Sequence, residues 1–252
     1  MKLLCLDTSA KTAAAAVVDN DAILARACIT TNLTHSQTLL PLCDSLLNAA
    51  CISLSDIDGF AVSNGPGSFT GLRIGISAIK GMAQGLNRPC IGVSTLEALA
   101  YNYRGLFGTI CAVMDARCNQ VYTATFQING GDPERLTEDT AISIEALSAQ
   151  LAERKTPIIF VGDGAFLCYN TLKENLSDIW LAPPQLRLQD AASVGFVANR
   201  LIKEGNSLLS ASELMPKYLR LPQAERELLK KTASDIHHNQ STRRNSDDST
   251  GK

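Results

Sequence analysis

The sequence predicts an α/β protein made of two similar lobes, each a mixed sheet flanked by helices. Three observations carry that reading. Apolar runs of strand length alternate with longer stretches of helical period over most of the chain. An opening of apolar strand, acid and second strand occurs twice: Leu3-Leu4-Cys5-Leu6 leads to Asp7, and Thr109 to Met114 leads to Asp115. Between the two halves, Gly105 to Gly108 breaks the pattern as a lobe junction would. The predicted organisation is a first lobe over 1–103, a second over 104–222, and a polar, disordered tail over 223–252.

The first lobe reads strand, hairpin, helix, strand, helix, strand, helix. Residues 2–6 form the first strand, and Ala13 to Val18 and Ala22 to Thr30 pair through the turn residues Asp19-Asn20-Asp21. Thr34 to Ala50 reads as a helix with Thr34 as N-cap and a broad apolar band of Leu39, Leu40, Leu42, Cys43, Leu46 and Leu47. That band is wider than one sheet face covers. Pro41, inside it, predicts a local bend near Thr38 or a late helix start. Gly59 to Val62 is a buried strand, the segment up to about Leu86 a helix, and Pro89 to Val93 another strand. Ser94-Thr95-Leu96-Glu97 then opens a helix with the spacing of a capping box.

In the second lobe Gln120 to Ile128 is the hairpin mate of the strand ending at Asp115. Ser143 to Glu153 reads as a helix, Pro157 to Val161 as a strand, Gly162 to Leu176 as a turn into a helix, and Asp190 to Glu204 as a last helix.

The chain has 252 residues and 45% hydrophobic content, enough for a substantial core. Its net charge of −2 and 5% aromatic content argue against a protein that grips nucleic acid unaided, which needs a basic surface and stacking platforms. No run is long enough to span a membrane, and Asp7 interrupts the opening apolar run too early for a signal peptide, so a cytoplasmic location is expected. The eight cysteines are irregularly spaced without a C-x-x-C pair, which favours small buried hydrophobes in a reducing compartment over metal ligation.

The stretch Asn64-Gly65-Pro66-Gly67-Ser68-Phe69-Thr70-Gly71-Leu72-Arg73-Ile74-Gly75 joins a strand to a helix. It matches neither phosphate fingerprint: Leu72 stands where a P-loop has Lys, and Thr70 where the dinucleotide pattern has its third Gly. A glycine turn here, with Ser68 or Thr70 capping the helix, serves either close packing or an anion, and the residues leave both open. Beyond it, Leu72, Ile76, Ile79 and Ala83 form a core stripe, while Gly71, Gly75, Ala78 and Met82 form a second face of mostly small side chains. Interior Gly costs up to about 1 kcal/mol against Ala, so two in one helix imply a close approach by another backbone.

The run from Gly65 to Gly75, with Ala78-Ile79-Lys80-Gly81 behind it, resembles the signature of the TsaB (YeaZ) family, bacterial proteins required for threonylcarbamoylation of tRNA. Leu6-Asp7-Thr8-Ser9, His35-Ser36-Gln37 with Leu39-Leu40-Pro41, Asp115-Ala116-Arg117 with Val121-Tyr122, and Pro216 to Arg220 extend it to about residue 221. The resemblance implies the actin-like ATPase topology, also suggested by the repeated strand-Asp-hairpin opening. In such ATPases the acid positions metal and phosphate beside a glycine. Here Thr8 and Ser9 follow Asp7, Ala116 and Arg117 follow Asp115, and Gly162-Asp163-Gly164 is the nearby glycine pair, so the nucleotide stations look incomplete. Read alone, Asp7 is a turn acid accepting backbone N–H bonds.

The resemblance implies an accessory role. The catalytic paralogue TsaD binds metal through an H-x-x-x-H motif, which this chain lacks, as it lacks a G-x-S-x-G elbow or a His paired for nucleophilic catalysis. No catalytic, cofactor or metal residues are therefore assigned, and His237-His238 in the tail read as solvated polarity. The implied partners are a TsaD-like subunit, a TsaE-like ATPase in the same complex, a second copy when alone, and tRNA only through the complex. The implied product is N6-threonylcarbamoyladenosine at adenosine 37 of ANN-decoding tRNAs. A small ATPase or sugar kinase, and less so a glycoprotease-like peptidase, are the alternatives. The partner surface is expected on the two long helices of the first lobe, at His35, Leu39, Cys43, Gly71, Gly75, Ala78 and Met82.

Overall fold

The computed structural model describes residues 1–154 and 156–220. The first sheet holds β1 (Lys2–Asp7), β2 (Thr12–Asp19), β3 (Ala22–Thr30), β4 (Gly59–Gly65) and β5 (Cys90–Ser94) in the order β3-β2-β1-β4-β5. Helix α1 (His35–Ala49) joins β3 to β4, α2 (Phe69–Leu86) joins β4 to β5, and α3 (Thr95–Tyr101) follows β5. The second half holds β6 (Phe107–Asp115), β7 (Gln120–Asn129), β8 (Glu134–Arg135), β9 (Thr140–Ser143), β10 (Ile158–Val161) and β11 (Ile179–Leu181). Its helices are α4 (Ile144–Ala152), α5 (Ala165–Leu172), α6 (Pro184–Arg187) and α7 (Ala191–Lys203).

The two sheets repeat one wiring. In the first, β1 pairs antiparallel with β2 and parallel with β4, and β4 pairs parallel with β5. In the second, β6 pairs antiparallel with β7 and parallel with β10, and β10 pairs parallel with β11. The second sheet therefore runs β11-β10-β6-β7-β8, with β9 also on β7. Each half begins with a hairpin and adds its parallel strands through crossover helices. This is the actin-like topology: α/β, with two mixed sheets flanked by helices.

The central strands carry continuous apolar runs because both of their faces are covered. Along β1, Leu4 and Leu6 enter a core shared with α1 and α2, while Leu3 and Cys5 enter one shared with α7. Leu96 and Leu99 of α3 pack on Ile110, Ala112 and Phe126 of the second sheet, whose far face covers α4 and α5. The layers alternate helix, sheet, helix, sheet, helix. Met1–Leu219 form one compact unit, in which α7, late in sequence, returns to the first sheet.

Glu97 ties this middle layer together. Ser94 caps α3 by accepting from Glu97 N at 3.2 Å, but the Glu97 carboxylate does not fold back to complete a capping box. It instead meets Arg135 Nη2 at 3.2 Å and Arg200 Nη2 at 2.6 Å, joining the second sheet to α7. The strands β8, β9 and β11, of two to four residues, were too short to show a period.

Helix α1 starts directly after its cap, with Thr34 N donating to Gln37 Oε1 at 3.2 Å, so the late start anticipated from Pro41 does not occur. Pro41 and Gln37, whose carbonyl Pro41 cannot bond, are both exposed, on the solvent side of the helix. In α2, Leu72, Ile76, Ile79 and Ala83 are buried as the stripe predicts. The small face divides. A Cβ on Gly71 would overlap Thr8 O, and one on Gly75 would overlap Thr8 Oγ1. Both glycines pack inside the lobe, against the turn after β1.

Gly75→Ala is therefore expected to displace Thr8, whose Oγ1 donates to Gly71 O at 2.7 Å. Overpacking and the lost bond together lower unfolding free energy by about 2–4 kcal/mol. Urea unfolding measures this, and a loss below about 0.5 kcal/mol shows that the contact yields freely.

Candidate functional site

The glycine turn lies on the loop that follows β1. Ser68 N donates to Ser9 O at 2.7 Å, and Ser68 Oγ accepts from Gly71 N at 3.2 Å. The Ser68 and Gly71 amides are thus engaged by the chain itself, and a Cβ on Gly67 would overlap Ser9 O, so the glycines of this turn serve close packing. Asp7 is 1% exposed. Its Oδ1 accepts from Ser9 N at 2.8 Å and Ser9 Oγ at 2.6 Å, and its Oδ2 from Ser63 Oγ at 2.6 Å. Burial raises its pKa, opposed by these hydrogen bonds. It is the turn acid that its neighbours suggest.

The segment near residue 215 closes over the same turn. Lys217 N donates to Asn64 O at 2.7 Å, and Lys80 Nζ donates to Leu214 O at 3.2 Å. Tyr218 stacks on Phe69 with ring centroids 4.5 Å apart, and the Arg73 guanidinium lies 3.8 Å over the Phe69 ring while Arg73 Nε donates to Tyr218 OH at 2.9 Å. Each such ring contact contributes about 0.5–1.5 kcal/mol. Two of the segments that carry the family resemblance therefore meet in space.

Beside this clamp, α1 and α2 diverge to leave an open groove of about 670 Å³. Leu40, 54% exposed, Phe69, Ile74 and Ala78 supply its apolar lining, with His35 and Arg73 at the rim. His35 is half-buried, its Nε2 2.6 Å from Ala10 O, so the first residue of α1 is pinned to the β1–β2 turn.

Of the residues anticipated for a partner surface, the structure leaves His35, Ala78 and Met82 half-buried and reachable. Leu39 and Cys43 are 1% and 4% exposed, and Gly71 and Gly75 are buried against Thr8. These four are covered within the lobe by the chain's own sheet and turn, although Leu39 still lines the groove; Leu40, Phe69, Arg73 and Ile74 line it as well and were not among the anticipated residues. Only the band of α1, wider than its sheet, pointed to Leu40; aromatic stacking across 149 residues left no local signal for Phe69.

The second-lobe stations differ from Asp7. Asp115 is exposed, with Oδ1 accepting from Arg117 N at 2.7 Å, and its own N donates to Asp163 Oδ1 at 3.3 Å. Burial, with the Asp115 charge nearby, pushes Asp163 up to about 6 despite Lys11. Among the described residues no three His, Cys, Asp or Glu side chains converge as metal ligands, and no helix is long and apolar enough to cross a membrane. The tail expected over 223–252, with His237 and His238, lies outside the described residues.

The family model for TsaD, tRNA N6-adenosine threonylcarbamoyltransferase, matches residues 30–228. The chain is 31% identical over 233 residues to the tRNA threonylcarbamoyladenosine biosynthesis protein TsaB of Bacillus subtilis, covering 89% of this chain and 96% of that one. It is 32% identical over 114 residues to a tRNA N6-adenosine threonylcarbamoyltransferase of Geotalea uraniireducens, covering 39% of this chain and 33% of that one. The structure of YeaZ from Pseudomonas aeruginosa superposes with a TM-score of 0.73 at 28% identity, covering 86% of this chain and 99% of that chain.

The raised Asp163 gives a pH signature. Its folded value of about 6 exceeds the ordinary 3.8, so between those values the native state holds a proton the unfolded chain has lost. Unfolding free energy then falls as pH rises from about 4 to 6. Asp163→Asn removes that slope and gains at most about 3 kcal/mol over the parent by pH 7. Urea unfolding from pH 4 to 7 measures it; parallel curves for parent and variant refute it.

Proposed function

The chain belongs to the TsaB (YeaZ) family, and from that membership we propose that it acts in tRNA threonylcarbamoyladenosine formation as a non-catalytic subunit, pairing with a TsaD-like catalytic paralogue. The observation that carries the pairing is the groove between α1 and α2, where Leu40, Phe69, Ile74 and Ala78 leave apolar surface open on the first lobe, 1–103. Apolar surface of this kind is stabilised by burial at about 25 cal/mol per Å², which favours association. A relative built on the same topology presents equivalent helices, so like lobes pack as a four-helix contact. The second sheet, with α4 and α5, stands outside that contact, while the segment that carries Tyr218 borders it.

In this reading the catalytic groups lie on the partner. A second copy occupies the groove when the paralogue is absent, and the paralogue displaces it. A TsaE-like ATPase and tRNA, modified at adenosine 37 of ANN-decoding species, join through the complex in the cytoplasm. The net charge of −2 supports tRNA contact through the assembly rather than through this chain alone.

Two substitutions test the surface and separate it from the core. Ala78→Arg and Leu40→Arg place long cations at positions that water reaches in the monomer, so circular dichroism and Tm should stay near the parent's. Each should weaken copurification of the TsaD-like protein at least 100-fold, because a guanidinium buried in an apolar contact lacks a counter-ion. Undiminished copurification with both variants sinks the assignment.

Asp7→Ala tests the absence of chemistry in the first lobe. It strips three hydrogen bonds from Ser9 and Ser63, and is expected to cost about 2–4 kcal/mol. The purified parent should show no ATP hydrolysis for it to remove. Turnover by the parent alone, lost in Asp7→Ala, refutes the accessory role.

A further inference from the structure

A second cavity, of about 200 Å³, lies away from the groove between α1 and α2, where the turn after β1 meets the turns after β10 and α6. Lys11 lines it from the first lobe, and Gly162, Asp163, Phe166 and Arg187 from the second. Its walls are held by backbone contacts. Gly162 N donates to Arg187 O at 2.7 Å, so the end of α6 is tied to the turn after β10. Gly162 has φ +106°, and a Cβ there would overlap Val113 O, so only glycine fits this approach. On the other wall, Ala10 O, one residue before Lys11, lies 2.6 Å from His35 Nε2.

Two side chains in the lining are cations and one is an acid. Arg187 Nε donates to Ala182 O at 2.8 Å, which fixes the guanidinium, while its two terminal nitrogens make no hydrogen bond or ion pair among the described residues. Lys11 is exposed and has no ion pair among them either. Asp163 accepts from the Asp115 amide at 3.3 Å. The lining therefore carries a net charge of +1, two cations less one acid, while Asp163 is ionised, and +2 once it is protonated. Asp190, beside the lining in sequence, does not offset this, because Arg26 pairs with it at 2.9 Å.

Size and shape narrow what fits that charge. At about 30 Å³ per water, the cavity has room for roughly seven waters, below the roughly 300–1,000 Å³ of pockets that take drug-sized ligands. A nucleotide does not fit. A fixed guanidinium with two free nitrogens matches two oxygens of a single anion, which an oxyanion offers and a halide does not.

We propose that this cavity binds a small inorganic oxyanion of the phosphate or sulfate type, with two of its oxygens on the Arg187 guanidinium and its charge shared with the Lys11 ammonium. The site is independent of the groove between α1 and α2. Asp163 tunes it. Burial, with the Asp115 charge nearby, pushes this carboxyl up to about 6. Above that pH it repels the anion, and below it the repulsion is lost, so binding tightens as pH falls. Asp115, Lys11 and Arg187 are the other charged groups around it.

The test is calorimetric titration of the full chain with sulfate, whose charge is constant between pH 5 and 7.5, and with phosphate and adenosine monophosphate at pH 7.5. All titrations share a background of about 0.1 M sodium chloride, which screens diffuse attraction. Sulfate should bind with Kd below about 5 mM at pH 5 and at least about threefold more weakly at pH 7.5, as one like charge returns. Asp163→Asn should bind sulfate at pH 7.5 as tightly as the parent does at pH 5, removing most of the pH dependence. Arg187→Gln should lose at least about tenfold in affinity. Should that variant not fold, Lys11→Met, at an exposed position, reads a loss of at least about threefold. No binding of sulfate or phosphate at 20 mM overturns the proposal, as does unchanged affinity in these variants. Adenosine monophosphate binding more than tenfold tighter than phosphate also overturns it, by showing a site for a larger ligand.

Discussion

The contact on which the rest of the first lobe depends is the approach of α2 to the turn after β1. Two helix positions, Gly71 and Gly75, must lack a side chain because Thr8 occupies the space where a Cβ would be. Each costs about 1 kcal/mol in helix propensity, offset by hydrogen bonds that only this distance permits: Thr8 Oγ1 to Gly71 O at 2.7 Å and Ser68 N to Ser9 O at 2.7 Å. With α2 fixed on that turn, its core stripe meets β1 and β4, and its other flank is aimed outward beside α1. The groove is thus a by-product of a packing constraint on the opposite side of the same helix. The groove and the glycine motif are neighbours on opposite sides of one helix.

That distinction marks the limit of what the residues alone reveal. Both lobes were legible, because strand-length apolar runs and the repeated strand-acid-hairpin openings are local patterns that a doubly covered sheet imposes. The stripe Leu72, Ile76, Ile79, Ala83 was legible for the same reason. The small stripe Gly71, Gly75, Ala78, Met82 was legible as a face but not as a destination, since spacing shows which residues lie together and not what lies opposite. Three residues apart, Gly75 and Ala78 sit on different sides of a boundary set by Thr8, from a turn more than 60 positions earlier. Arg187 gave no signal, because a guanidinium left unpaired is a property of assembled neighbours.

The groove between α1 and α2 is bounded by side chains held in fixed contacts. Its clamp of Tyr218, Phe69 and Arg73 spends aromatic surface on rigidity at the rim, leaving aliphatic side chains exposed between α1 and α2. Rigid rims lower the ordering entropy that association costs. His35 contributes in the same way, held against Ala10 O so that the start of α1 stays fixed.

Repetition of one topology makes the two lobes a comparison within a single chain. The corresponding acids Asp7 and Asp115 end the corresponding strands β1 and β6, yet their surroundings have diverged. In the first lobe, Ser9 and Ser63 donate three hydrogen bonds to Asp7, which is sealed from water. In the second, Asp115 is exposed, and its amide instead holds Asp163 beside an unfilled space with Arg187 and Lys11 across from it. Three hydrogen bonds hold Asp7, whereas the Asp115 amide gives Asp163 a single one. One strand-end position is thus a structural fastening in the lobe that carries α1 and α2, and the neighbour of a polar cavity in the other. The division follows from which neighbours fill each carboxylate's lone pairs.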